Sequence, residues 1–156
     1  MKLLVEFSVP CALWRGLPKA RALARETLDA CVAESGFDPP DRKEIALRLT
    51  GDEEMRELNA RWRGRDEATN VLSFPAPDPE IAGGTLGDIA LAYETLAREA
   101  GEAGVPLADH FRHLVAHGFL HLIGYDHQTD EQAERMEQLE RRILARLGAA
   151  DPYPAG

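Results

Sequence analysis

Between Glu44 and Leu49 the chain alternates, with Ile45, Leu47 and Leu49 interleaved with Glu44, Ala46 and Arg48. A period of two puts the branched apolar set on one face of an extended chain, so this stretch is expected to be a half-buried strand. Leu3 to Val9 and Thr69 to Phe74 also read as strands, and Leu86 to Ala92 as a more apolar one.

Elsewhere the spacing is helical. Leu23, Thr27, Leu28 and Cys31 recur with helical period between Lys19 and Glu34, and Gly36 supplies a stop. Thr50 or Asp52 is expected to cap the next helix, with Glu53 placed for a capping box on Thr50 and with Met55, Leu58 and Trp62 facing inward. Tyr93 to Ala103 predicts a short helix, and Pro106 opens another that runs to about Leu122. The last helix, Asp130 to Leu147, carries Ala133, Met136, Leu139, Ile143 and Leu147 as one core-facing stripe. Pro39-Pro40 marks a loop, and the stretch from Pro75 to Gly84 reads as an exposed one. The tail beyond Gly148 is expected to be loose.

This order of elements predicts one α+β domain across residues 1–156: a single small mixed β-sheet packed with helices. The length suffices for a core of its own. No internal repeat interrupts it, and no apolar run approaches a membrane span. The opening segment Met1–Phe7 is too short and too acidic for a signal peptide and is expected to enter the first strand. Cys11 and Cys31 are expected to be free, buried thiols.

The candidate chemistry lies in eleven residues, His117-Gly118-Phe119-Leu120-His121-Leu122-Ile123-Gly124-Tyr125-Asp126-His127. His117 and His121 stand four apart, so on a helix both imidazoles leave one face. Gly124 lets the chain leave the helix through a left-handed residue, and the following turn brings His127 back toward the same point. Three neutral imidazoles with a fourth position open describe a catalytic zinc site rather than a closed structural one. The spacing matches the metzincin pattern H-E-x-x-H-x-x-G-x-x-H except at Gly118, which replaces the Glu that serves those proteases as general base. The ligand set is therefore kept without the machinery for peptide hydrolysis, and the missing side chain is expected to open space beside the metal. His113 and His110 extend the same helix upstream, either toward the metal or satisfied by neighbours. Asp126 is a candidate to orient a ligand imidazole, or else to cap the helix beginning near Thr129.

Charge alters this picture. A formal net charge of −9 disfavours a nucleic-acid binder, since phosphate contacts need a positive surface. The arginines are unevenly placed, however, with Arg56, Arg61, Arg63 and Arg65 in one short segment. Arg56 and Arg61 read as a solvated helix face with partners such as Glu57. Arg63 and Arg65, beside Gly64 and beyond that pattern, read as substrate-binding candidates.

The string HGFLHLIGYDH closely resembles the signature of the YbeY family of bacterial endoribonucleases. Glu57-Leu58-Asn59, Trp62-Arg63-Gly64-Arg65-Asp66 and Thr69-Asn70-Val71-Leu72-Ser73-Phe74-Pro75 resemble a second family block, and Leu86-Gly87-Asp88-Ile89 a third. The resemblance spans roughly residues 44 to 147, with Met136, Glu140, Ile143 and Leu144 of the last helix also fitting. Trp62 stands where the family commonly has Tyr, and Ala68 where it often has Pro. The resemblance implies one Zn2+ per chain on His117, His121 and His127, with Arg63 and His117 the residues most tied to activity. It also implies a cytoplasmic, single-strand-specific endoribonuclease that matures small-subunit ribosomal RNA near its 3′ end and takes part in ribosome quality control. Its partners would be the small ribosomal subunit, with ribosomal proteins or an assembly GTPase nearby. The proton acceptor stays open among a zinc-activated water, Asp126, Asp88 and the substrate's 2′-hydroxyl. Two other readings remain: a ribosome-assembly factor with a mainly structural zinc, and a metal-dependent hydrolase of another substrate.

Overall fold

The computed structural model describes residues 3–77 and 84–153. Four strands, β1 (Leu3–Ser8), β2 (Lys43–Thr50), β3 (Val71–Pro75) and β4 (Thr85–Ala92), form one sheet in the order β1-β2-β4-β3. The sheet is mixed: β1, β2 and β4 run parallel, and β3 pairs antiparallel with β4. Five helices accompany it: α1 (Ala20–Ser35), α2 (Asp52–Arg63), α3 (Tyr93–Ala103), α4 (Leu107–Leu122) and α5 (Asp130–Arg146). Among the described residues no helix is long and apolar enough to cross a membrane.

Strand alternation divides the core. Ile45, Leu47, Leu49, Ile89 and Leu91 point to one face and join the main core with Leu28 of α1, Phe111, Val115 and Phe119 of α4, and Ile143 of α5. Ala90, Ala92 and Leu72 point to the other, where Met55 and Leu58 of α2 cover them in a smaller cluster. Placing α2 on one face and α4 on the other lets the ends of both helices meet around β3, the edge strand.

The predicted elements hold with ends shifted by a residue or two, and the differences have local causes. The N-cap of α2 is Gly51, not Thr50 or Asp52, and no side chain caps it. Asp52 instead accepts hydrogen bonds from the backbone N–H and hydroxyl of Thr95, while its own N–H donates to Glu94. The starts of α2 and α3 thus satisfy each other's free donors, which makes a box on Thr50 unnecessary. Trp62 is not inward but 62% exposed. The inward stripe of α2 passes through Met55 and Asn59, whose amide donates to the Glu67 carbonyl at 2.9 Å. Trp62 is left at the rim, edge-on to Phe74 with centroids 6.4 Å apart. Cys11 and Cys31 are both free, but only Cys31 is fully buried, and its burial pushes the thiol pKa up.

The tail beyond Gly148 is not loose as far as Tyr153. Ala149 N–H caps the end of α5 through the Leu144 carbonyl, Ala150 N–H donates to Asp109, and Arg141 donates to the Tyr153 carbonyl at 2.7 Å. Of the loop predicted between Pro75 and Gly84, residues 78–83 lie outside the described residues.

Candidate metal centre

Helix α4 sits against β3 and β4, and Gly118 permits the approach. A Cβ there would stand 3.0 Å from Ile89 Cγ2 and 3.2 Å from Ser73 Oγ, whose hydroxyl donates to the Gly118 carbonyl. The expectation that Gly118 opens space beside the metal is therefore corrected. The room is already taken by the sheet, and the glycine serves packing.

The same helix carries His117 and His121 one turn apart. It ends in a Schellman motif: Tyr125 N–H donates to the Leu120 carbonyl and Gly124 N–H to that of His121, with Gly124 at φ 105°. Only a residue tolerant of positive φ makes this reversal cheaply, and it returns the chain so that His127 faces the other two histidines. The ring centroids of His117 and His121 are 4.6 Å apart, of His121 and His127 5.1 Å, and of His117 and His127 5.8 Å. One ring nitrogen from each lies within 4.8 Å of the others.

The donor set fits a divalent ion such as zinc. Nε2 of His117 and Nε2 of His121 are 3.1 Å apart. Two imidazole ligands at ~2.0–2.1 Å in tetrahedral geometry would stand roughly 3.3 Å apart. His121 is held below its ordinary pKa, first by burial and then by His117 and His127, with Asp126 opposing. That favours the neutral ring a metal requires.

His117 is oriented from behind. Its Nδ1 lies 3.0 Å from Oε1 of Glu140, a carboxylate on α5 that is 1% exposed. Burial pushes the Glu140 pKa up, but hydrogen bonds and charge from His113 and His117 outweigh it and hold the group down at about 2. An ionised acceptor at Nδ1 keeps the proton on that nitrogen and leaves Nε2 as the lone pair facing His121.

These histidines share a cleft of about 610 Å³ with Arg63, Ser73 and Asp126. Arg63 is the last residue of α2, and its Nη2 donates to the Ser73 carbonyl at 2.8 Å. Its guanidinium carbon lies 6.0 Å from the Phe74 ring centroid. Among the described residues it pairs with no carboxylate. A charged fork with spare donors, in one cleft with three imidazoles, is suited to a phosphate ester.

The family model for "Endoribonuclease YbeY" matches residues 16–148. This chain belongs to the YbeY family. The YbeY endoribonuclease of Nitrobacter hamburgensis is 51% identical over 154 residues, 95% of this chain and 80% of that protein. Its counterpart in Sinorhizobium fredii is 48% identical over 157 residues, 96% of this chain and 91% of that protein. The solution structure of TM1509 from Thermotoga maritima shares the fold, with a TM-score of 0.58 and 22% identity over 97% of this chain and all of that one.

Other candidates fall outside the histidine cluster of this YbeY chain. Arg65 is exposed, 3.9 Å from Glu67, and does not line the cleft. Arg56 pairs with Asp66 at 2.7 Å. His110 is satisfied by Glu99 at 3.0 Å, and His113 by Glu140 at 3.1 Å. Asp126 lines the cleft, and its Oδ1 accepts the His127 N–H at 2.8 Å. It does not cap α5; Thr129 does, in a capping box with Gln132. Asp88 lies on the α2 face of the sheet, in a separate groove with Trp62 and Phe74. The carboxylate bonded to a histidine of the cluster is Glu140, which sequence reasoning placed only among the last-helix residues that fit the family and gave no role at the site. The signal was present: Glu140 lies four residues after Met136 and three before Ile143, on the buried stripe.

Proposed function

We propose that this chain is a zinc-dependent endoribonuclease that cuts single-stranded RNA, with one Zn2+ held by His117, His121 and His127. One observation carries the proposal: the histidine cluster and Arg63, which pairs with no carboxylate among the described residues, line the same cleft. The family to which the chain belongs supports the choice of RNA as substrate.

When bound, a zinc ion would supply Lewis-acid polarisation of a phosphoryl oxygen and acidification of water. The chain's own residues do the rest. Arg63 binds the scissile phosphate and stabilises charge gathering on its oxygens. The Ser73 carbonyl fixes the guanidinium by taking one donor, leaving the others for the phosphate. Glu140 holds the His117 ring in the tautomer and direction the site needs. Asp126 is the carboxylate placed in the cleft and is the candidate proton acceptor among side chains. Arg65, outside the cleft, would contact only RNA lying beyond it.

The family supports a role in ribosomal RNA processing; the cellular role we propose is maturation of small-subunit ribosomal RNA near its 3′ end, and ribosome quality control, in the cytoplasm. The partners would be the small subunit, with ribosomal proteins or an assembly GTPase. A net charge of −9 suits protein contacts over the outer surface, with RNA confined to the Arg63 cleft.

The test is cleavage of a single-stranded ribosomal RNA fragment by metal-analysed protein, beside Arg63→Ala and His117→Ala. Cutting by a wild type with about one zinc per chain, lost in both variants, supports the proposal. Equal faint cutting by all three rejects it in favour of an assembly factor with a structural zinc.

A further inference from the structure

The chain's last described residues turn back onto the histidine centre. The Tyr153 hydroxyl donates to Oε2 of Glu140 at 2.9 Å, while Oε1 of the same carboxylate receives His117 Nδ1 at 3.0 Å. We infer that Tyr153 is a positioning residue for the metal centre, its hydroxyl fixing the Glu140 carboxylate so that Oε1 stays on His117.

Glu140 has two claimants on Oε1. His113 Nε2 stands 3.1 Å from it, almost as near as His117 Nδ1. The terminal torsion of a Glu side chain is soft and roughly two-fold, so bonds at one oxygen alone leave the carboxylate plane poorly defined. A second anchor on Oε2 removes that freedom. Tyr153 also restrains the competitor. Its hydroxyl is 3.3 Å from His113 Nε2, and the two rings meet edge to face with centroids 5.5 Å apart.

The hydroxyl is delivered by contacts that do not depend on it. Arg141 donates to the Tyr153 carbonyl and lies over its ring, 5.5 Å from the centroid. Tyr153 N–H donates to Asp151, and Ala150 N–H to Asp109 on α4. Removing only the phenolic oxygen therefore leaves the tail in place and frees Oε2 of a buried carboxylate. The sequence hid this role, because Tyr153 lies in a short tail rich in Ala and Pro and without periodicity.

The inference rests on the metal-binding reading above, and its test separates the two. Zinc affinity is measured by competition with a chromophoric chelator for wild type, Tyr153→Phe, Glu140→Gln and the double variant. Wild type should bind about one zinc per chain, and Tyr153→Phe should bind roughly tenfold more weakly, the low end for partners of ligand residues. In the Glu140→Gln background the same substitution should cost little more, since the two act through one carboxylate. The visible spectrum of the Co2+-loaded protein should also change in Tyr153→Phe, because the ligand field reports ring orientation. Equal affinities in wild type and Tyr153→Phe, or an equal loss in both backgrounds, overturn the positioning role and leave the metal reading standing. A wild type that binds no zinc overturns both.

Discussion

Glu140 on α5 places Oε1 3.0 Å from Nδ1 of His117 on α4, while Nε2 of the same ring faces His121 at 3.1 Å. The two ring nitrogens thus have separate partners, and the packing of two helices decides which one serves the site. Removing the acceptor should release the ring. Glu140→Leu is expected to lower zinc affinity ~10–100-fold. Glu140→Gln keeps an oxygen acceptor and should lose less. Zinc titration of both proteins checks this, and an affinity unchanged in Glu140→Leu would reduce the residue to a packing role.

The same carboxylate makes stability depend on acid pH. Its pKa is about 2 in the folded protein against an ordinary 4.5, because the hydrogen bonds and charge of His113 and His117 outweigh the upward push of burial. A depressed carboxyl pKa adds stability that is complete above its unfolded value and is lost as pH falls toward the folded value. The metal-free protein should therefore lose thermal stability between about pH 4.5 and pH 2. Glu140→Gln should lose it less steeply over that range. Thermal unfolding of both proteins at several pH values measures the difference, and parallel slopes would remove Glu140 as the cause.

Gly118 has a structural reason to be glycine that is separate from the missing protease Glu. A Cβ would meet Ile89 Cγ2 at 3.0 Å, Ile89 Cδ1 at 3.1 Å and Ser73 Oγ at 3.2 Å. Valine would add two further carbons where α4 already touches the sheet. The gain in helix propensity over glycine is a few tenths of a kcal/mol, and overpacking costs ~1–3 kcal/mol, so the second effect wins. Gly118→Val should lower the melting temperature by several degrees. A melting temperature at or above the wild-type value would mean that the sheet yields easily at Ile89.

The histidine spacing and the Gly124 turn were legible from the sequence because both are local. Positions four apart on a helix, and a glycine two residues past its end, carry their geometry with them. The β2 alternation was legible for the same reason: Ile45, Leu47 and Leu49 all enter the main core. The missed features are tertiary. Glu140 looks like one acid among many on a charged helix until α5 is laid against α4. Trp62 fits an inward helical position until Asn59 is seen bonded to the Glu67 carbonyl. The tail reads as loose until Arg141 and Asp109 are found holding it. Burial of a polar group is decided by a distant partner, and hydropathy along the chain does not name that partner.

The two tryptophans report on opposite environments. Trp14 is 3% exposed, and its Nε1–H donates to the Thr50 carbonyl at 2.8 Å. Its ring also meets Tyr93 and Phe111 edge to face, at 5.3 and 5.5 Å between centroids. Trp62 is 62% exposed and meets the rim of the sheet at Phe74. Trp62→Phe should change stability by roughly 0.5 kcal/mol or less, as for an ordinary surface position. It should shift the remaining emission to the blue and remove most of the quenching by acrylamide. Trp14→Phe should instead leave the Thr50 carbonyl without its donor, cost ~1–3 kcal/mol, and leave a red-shifted, readily quenched emission. Fluorescence and thermal melts on the two variants test both statements. A Trp62→Phe protein that stays as quenchable as wild type would place Trp14 in contact with solvent and contradict the core described for α4.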